Sequence, residues 1–164
     1  MKPGLGIESL QPEDLRRLDR LLDAFVRETG VRCAVLMDRA GRLLTTAGAI
    51  DGLDSVSFAT LAAADFSASG ELASLLGEAE FTALYHHGAD RSLYLAMVGR
   101  QGLLAAIFDD STALGLIRLQ LRELAASFAA IFDELATRTA DVPSTLGASW
   151  AEEAAGALDL LFAD

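Results

Sequence analysis

The hydrophobic residues of this chain recur with either a helical or a strand period, and the alternation of the two periods predicts its elements. Leucines three and four residues apart predict a first helix over Gln11–Thr29, which Gly30 ends. Two short β-rich runs follow at about Arg32–Met37 and Arg42–Ala47. The turn between them ends in Gly41, which is typical of a hairpin.

The remaining pattern predicts a central helix, three more strands and a long last helix. The central helix is expected over Ser55–Gly77, with Ser55 or Ser57 as its cap. A last helix is expected to run to about Arg138, capped by a residue of Asp109–Thr112. The strands are expected over Phe81–His87, which lies at an edge, and over Ser92–Val98 and Leu103–Phe108, which are covered on both faces.

This order, α-β-β-α-β-β-β-α, predicts an α+β fold in which a five-stranded antiparallel sheet carries helices on both faces. We expect residues 1–11 to be an N-terminal lead segment and residues 12–138 to form the domain. A linker over residues 139–148, which contains Pro143 and Gly147, is expected to follow. Residues 149–164 begin with the capping-box pair Ser149 and Glu152. We interpret this last segment as an amphipathic helix that docks either on its own domain or on another protein.

The predicted helix over Ser55–Gly77 has two contrasting sides. One side, interpreted as the side that faces the core, carries Phe58, Leu61, Ala62, Ser69, Leu72 and Leu76. The opposite side is almost entirely small and carries Thr60, Ala63, Ala64, Ser67, Gly70, Glu71 and Ser74. A solvated face usually carries long charged side chains, whereas short ones let another backbone approach closely. The helix is therefore either buried inside its own fold or, as we favour, exposed in the monomer and covered by partner proteins.

Composition and charge narrow the class of partner. The chain has 164 residues, 52% of them hydrophobic, and a net charge of −11. Between Leu43 and Asp90 there are seven carboxylates and no Lys or Arg, and residues 139–164 add five more carboxylates without a basic residue. Such a distribution argues against nucleic acid and anionic membranes and favours a partner with a basic surface. No apolar run is long enough for a membrane span, no signal peptide is recognisable, and Cys33 is the single cysteine, so we expect a cytoplasmic protein.

The residues that could carry chemistry favour structural roles. His86 and His87 are neighbours on a predicted strand, so their side chains point to opposite faces and do not easily share a metal ion. Asp109 and Asp110 lie at a strand-to-helix junction, where carboxylates usually cap. Cys33 has no activating base evident in the sequence, and the glycines match no phosphate-binding motif. We therefore predict a protein that is not an enzyme, without catalytic residues, metal or cofactor.

Several local motifs stand in a fixed order between Leu18 and Leu135. They are Glu28-Thr29-Gly30-Val31-Arg32, Ala34-Val35-Leu36-Met37-Asp38-Arg39-x-Gly41, Phe58-x-x-Leu61-Ala62-Ala63, Glu71-Leu72-Ala73-x-Leu75-Leu76-Gly77-Glu78, His86-x-Gly88 and Phe108-Asp109-x-x-Thr112-x-Leu114-Gly115, with Glu153-x-x-x-x-Leu158-x-x-Leu161 in the tail. In this order and spacing the chain resembles the roadblock / dynein light chain family, in particular its MglB-like branch of bacterial regulators. The linker and tail match that branch only loosely.

The resemblance implies a homodimer whose second helices pack antiparallel across a two-fold axis and whose third strands pair into one continuous sheet. The implied dimer interface includes Ala59, Phe66, Phe81, Ala83 and Tyr85. The implied partner is a Ras-like small GTPase of the MglA type, bound through Thr60, Ala63, Ala64, Ser67, Ala68, Gly70, Glu71 and Ser74.

The resemblance also implies a mode of action in cell polarity or motility. Hydrolysis of GTP is stimulated by repositioning the catalytic arginine and glutamine of the GTPase, which fits a stretch from Leu43 to Asp90 that offers no arginine. The tail is expected to bind the GTPase and favour nucleotide exchange through Trp150, Ala154, Leu158 and Leu161. The alternative is a sensory or scaffold module of the profilin/PAS/roadblock type that binds a small ligand or a protein complex.

Overall fold

The computed structural model describes residues 10–140, which form three helices and five strands in the predicted order. The elements are α1 (Pro12–Thr29), β1 (Cys33–Asp38), β2 (Leu43–Gly48), α2 (Ser55–Leu75), β3 (Ala83–His87), β4 (Ser92–Val98), β5 (Gly102–Phe108) and α3 (Leu114–Ala140). Residues 141–164, which contain most of the predicted linker and the whole predicted C-terminal helix, lie outside the described residues.

The five strands form one antiparallel sheet in the order β2-β1-β5-β4-β3. The predicted α+β fold with a five-stranded antiparallel sheet is therefore confirmed. Every residue of β1 and β5 is buried, because helices cover both faces of the sheet there, whereas the third inner strand, β4, is half-buried at Leu93, Tyr94 and Met97. β3 lies at an edge, as predicted, and in the described part of the chain only β4 pairs with it.

Two hydrophobic layers lie on the two faces of the sheet. Helices α1 and α3 cover one face, where Leu22, Phe25 and Phe128 are fully buried against the strands. Helix α2 covers the other face, where Phe66 packs with Leu95 and other strand residues. The described helices therefore belong to two sets: a pair that closes one layer and a single helix that closes the other.

Helices α1 and α3 run antiparallel and are joined by two ion pairs. Arg138 near the end of α3 donates two hydrogen bonds to Asp14 in the first turn of α1, at 2.8 and 2.7 Å. Arg17 pairs with Glu134 one turn further along, at 2.6 Å. Asp14 is almost fully buried and also accepts the backbone N–H of Gln11 in a capping box. The Arg138 guanidinium lowers the pKa of Asp14, with a further contribution from the Gln11 N–H.

The helix caps differ from the predictions at two junctions. The cap of α2 is Asp54, which accepts the N–H groups of Val56 and Ser57, so the prediction of Ser55 or Ser57 was wrong by one position or more. Asp109 does not cap α3, which begins at Leu114; it closes a turn through Ser111 and binds Arg32 at 2.7 Å. The Ser111 hydrogen bonds, helped by Arg32, strongly lower the pKa of Asp109.

No helix within residues 10–140 combines the length and the apolar character that crossing a membrane requires.

Candidate interaction surface on the second helix and the edge strand

The buried strip of α2 consists mainly of alanines and faces the sheet. Its members are Ala59, Ala62, Ala63, Phe66 and Ala73. Short side chains let the helix lie close to the strands: a methyl group on Gly41 in the β1–β2 turn would come within 2.8 Å of the Thr60 Cα. The prediction that placed Ala63 on the outer side of α2 was therefore wrong, because its methyl group is part of the core.

The leucines of α2 point away from this strip. Leu61, Leu72 and Leu76 are 70%, 57% and 73% exposed, although the sequence pattern placed them on the side facing the core. That prediction was wrong because alanine, not leucine, occupies the close contact with the sheet. Leu75 and Val56 are exposed as well. Folded protomers rarely leave several neighbouring leucines in water, which makes this patch a candidate interaction surface.

Contacts on either side of α2 show in which direction its leucines point. The imidazole Nε2 of His86 on β3 lies 2.7 Å from the Asp65 carboxylate, so the side of α2 that carries Asp65 faces the edge strand β3. Thr60 lies on the other side, over the β1–β2 turn. At 100° per residue, Leu61, Leu72 and Leu76 share the Asp65 side. We call these three residues the leucine side of α2.

The sheet beyond the leucine side is incompletely covered. Three side chains of the hydrophobic layer under α2 are only partly buried: Leu84 on β3, and Leu93 and Met97 on β4. β3 itself is half-buried in its first two residues and exposed in the rest. Among residues 10–140 the outer edge of β3 has no strand partner, and beside exposed leucines such an edge offers backbone hydrogen bonds and apolar area to the same partner.

The small outer side of α2 is exposed as predicted, except for Ala63. Thr60, Ala64, Ser67, Ala68, Glu71 and Ser74 are exposed, and we call them the small side of α2. Thr60 Oγ1 donates to the Val56 carbonyl and Ser74 Oγ to the Gly70 carbonyl, so both hydroxyls are satisfied within the helix. A methyl group on the half-buried Gly70 would meet nothing within 4 Å. The protomer itself therefore does not require a glycine there.

The predicted dimer residues fall into two groups. Ala59 and Phe66 are buried under α2 within the protomer, so their prediction as interface residues was wrong: both fill the core beneath the helix. Phe81 and Ala83 are half-buried, and Tyr85 is exposed on β3, where its ring stacks on Phe108 with centroids 6.2 Å apart. These last three residues remain available to a partner along the edge strand.

The residues considered for chemistry have structural partners. His86 and His87 point to opposite faces, as predicted: His86 contacts Asp65 of α2, while His87 Nδ1 lies 3.0 Å from Ser92 Oγ on the other face. Cys33 is buried, and burial raises the pKa of its thiol. Within residues 10–140, no group of three or more His, Cys, Asp or Glu side chains could hold a metal ion.

The fold agrees with the comparison to known families. The sequence profile of the Roadblock/LC7 domain matches residues 17–108, which is more than half of the chain. The chain therefore belongs to the Roadblock/LC7 family. A search of the curated proteins finds no match.

Solved structures narrow the likeness to MglB. Myxococcus xanthus MglB is 34% identical, with a TM-score of 0.71 over 77% of this chain and 95% of that one. The gliding protein MglB from Thermus thermophilus is also 34% identical, with a TM-score of 0.70 over 76% and 95% of the two chains. A further MglB, solved with a tetrameric arrangement, gives 34% identity and a TM-score of 0.73 over 77% and 95%. The predicted resemblance to the MglB-like branch of the family is confirmed.

Proposed function

We propose that this protein is a dimeric, non-enzymatic regulator of a Ras-like small GTPase of the MglA type, acting in the cytoplasm in cell polarity or motility. The observation that carries the proposal is the exposed leucine side of α2 beside the unpaired edge of β3, in a chain 34% identical to M. xanthus MglB. The following steps assign the surfaces of the protomer to the two partners.

The leucine side of α2 and the β3 edge form the homodimer interface. Two copies of β3 pair across a two-fold axis, with Phe81, Ala83 and Tyr85 along the contact. The same rotation brings the α2 helix of one protomer over the partly covered apolar residues of the other. A symmetric interface of this kind is self-complementary, because each protomer supplies both a strand edge and a leucine side. A stable contact of this class buries roughly 1,200–2,000 Å² in total.

The small side of α2 binds the GTPase, together with Gly70. Short side chains at Ala64, Ser67 and Ala68 let the GTPase backbone approach closely, and Glu71 contributes to an acidic surface that attracts basic residues. This surface has no arginine to insert into a nucleotide site, because residues 43–90 contain none. Stimulation therefore acts by repositioning the catalytic arginine and glutamine of the GTPase itself.

The tail supplies a second contact with the GTPase. Trp150, Ala154, Leu158 and Leu161 share one side of a helix at 100° per residue and dock on the GTPase to favour nucleotide exchange. Tethering by the linker raises the effective concentration of this weak element to about the millimolar range.

Single-turnover GTP hydrolysis by an MglA-type GTPase, with and without the protein, tests the proposal. We expect hydrolysis to be faster by on the order of tenfold or more. Ala64→Arg adds bulk to the small side and is expected to abolish the stimulation while the fold survives. Ala113→Arg makes the same change at an exposed position before α3 and serves as the matched control. A GTPase whose hydrolysis and nucleotide release are both unaffected by the wild-type protein contradicts the proposal.

A ligand-binding module is the second candidate, and one observation favours it. A recess of about 370 Å³ beside the start of α2 is lined mainly by apolar residues, including Ile50, Leu53, Phe58 and Leu93, with His86 at its rim. The two functions are separated by native mass spectrometry of the purified protein. A small molecule retained in the recess, together with no effect on GTP turnover, supports sensing instead of regulation.

A further inference from the structure

The layer of α1 and α3 has a groove on its solvent side that the proposed function does not use. Its volume is about 370 Å³. The floor is apolar, the wall on α3 is made of short exposed side chains, and the rim on α1 is basic. The lining residues are Arg17, Arg20, Leu21, Ser127, Ala130 and Ile131.

The rim carries positive charge that the domain neutralises only in part. Arg17 is held by Glu134 at 2.6 Å. The Arg20 side chain is 66% exposed, and its ion pair with Glu13 has an N–O distance of 4.0 Å. Exposed pairs of that length contribute little, so Arg20 is available to an acidic occupant.

We infer that this groove binds the C-terminal segment of the same chain, residues 149–164. Residues 139–164 contain five carboxylates and no basic residue, which complements the arginine rim. Leu158 and Leu161, on the same helical side as Trp150, match the apolar floor of Leu21 and Ile131. The negative charge of the tail and its apolar side therefore both favour residues 149–164 as the segment that occupies the groove.

The length of the chain allows the segment to reach the groove. α3 ends at Ala140, and residues 141–148 span up to about 26 Å at roughly 3.3 Å per residue. Ala130 and Ser127 lie roughly 15–20 Å back along α3 from its end. A helix that starts near residue 149 and returns antiparallel to α3 brings Leu158 and Leu161 level with these two positions.

The same register brings the acidic residues of the tail to the level of the basic rim. The ion pairs Asp14–Arg138 and Arg17–Glu134 show which residues of α1 and α3 lie at one level. In the returning helix, Asp159 then lies level with Arg20 but on the side of the helix away from the groove floor, as does Glu152 nearer the start of α1. The attraction to the arginine rim therefore acts between exposed groups and not as a direct ion pair. Repulsion from Glu134 is small, because Arg17 already neutralises that carboxylate.

Docking in the groove competes with the tail contact assigned under the proposed function. The apolar side of the tail cannot contact its own domain and a GTPase at the same time. The tail therefore stays bound in the groove, on the face of the sheet opposite α2, until a GTPase binds it. The inference does not need the GTPase to be correctly identified. Its tests use this protein alone, and a failed GTPase assay leaves them unaffected.

Fluorescence of Trp150, the only tryptophan, reports the docking in the full-length protein. We expect its emission at shorter wavelength than in a peptide of residues 141–164. Arg20→Glu and Ala130→Glu place negative charge against the acidic tail and shift the emission to that of the peptide. Arg118→Glu, an equal charge reversal on an exposed part of α3 away from the groove, leaves it unchanged. Peptide-like emission in the wild type, or emission that neither groove variant moves, overturns the inference.

A cysteine pair identifies the occupant. Ala130→Cys combined with Ala157→Cys is expected to oxidise to a disulfide within one chain, visible as a monomer band of altered mobility on a non-reducing gel. Native Cys33 is buried and common to every variant. Crosslinked dimers instead of monomers show that the groove holds the tail of a second copy and overturn the inference, as does the absence of any crosslink.

Discussion

Replacing Leu61 by Ala is expected to weaken the homodimer without weakening the protomer. Leu61 is 70% exposed on the leucine side of α2, so the folded protomer gains little from its side chain. Alanine has the higher helix propensity, which leaves the stability of α2 the same or slightly greater. The loss therefore falls on the proposed interface.

The size of the loss follows from the exposed area. Burying a leucine side chain completely is worth about 2 kcal/mol, so covering the 70% that is exposed contributes about 1.4 kcal/mol. A two-fold interface contains the contact twice, which gives about 3 kcal/mol per dimer. This corresponds to a dissociation constant raised on the order of 100-fold.

Sedimentation equilibrium measures the dissociation constant, and thermal unfolding at low concentration measures the protomer. Leu119→Ala is the matched control, because Leu119 is 48% exposed on α3, on the opposite side of the sheet. It should leave the dimer unchanged. Equal dissociation constants for Leu61→Ala and wild type, or equal weakening by Leu119→Ala, would refute the placement of the interface. A large loss of protomer stability in Leu61→Ala would show that this side chain belongs to the core.

Three further predictions concern stability and mechanism. Arg138 donates hydrogen bonds to Asp14 and lowers the pKa of Asp14 in the folded state below its ordinary value of 3.8. The contribution of Asp14 to the free energy of unfolding is therefore complete above that value and is lost as pH falls toward the folded pKa. Urea unfolding between about pH 5 and pH 3 should show a steeper loss of stability for wild type than for Asp14→Asn. Gly41→Ala should lower the melting temperature markedly, since Gly41 has φ 82° and a Cβ there would lie 2.8 Å from the Thr60 Cα; an unchanged melting temperature contradicts the close packing of α2. Arg91→Ala should leave GTPase stimulation intact, because no arginine is inserted into the nucleotide site; loss of most of the stimulation in single-turnover hydrolysis would instead indicate that Arg91 is inserted.

Most elements of the fold follow from local sequence. Strand β4 is observed over Ser92–Val98, as its continuous apolar run predicts, and α1 begins within one residue of its predicted start. Such elements are set by interactions between neighbours in the chain: a turn glycine, a proline in the first turn, and side chains of fixed period. Short connections then account for the β1–β2, β3–β4 and β4–β5 pairs, whereas no local signal gives the β1–β5 pair that joins them into one sheet.

The orientation of α2 was decided by the tertiary structure. Apolar residues occur on every side of this helix, so its hydrophobic period does not identify the side that faces the sheet. The β1–β2 turn at Gly41 approaches the backbone of α2 closely, and only a methyl-sized side chain such as that of Ala63 fits at this contact. The leucines are therefore turned outward, because close packing, and not hydrophobicity alone, selects the residues at a contact.

The contacts that connect distant parts of the chain could not be predicted from the sequence either. Asp14 and Arg138 meet across α1 and α3, and Asp65 and His86 meet across α2 and β3, although neither pair shows any local signal. Each side chain has several possible charged partners in the sequence, and the packing of helices on the sheet determines which of them are within reach. The sequence by itself therefore determined the elements and their order, whereas only the tertiary structure decided which side of α2 faces the sheet and which side stays exposed.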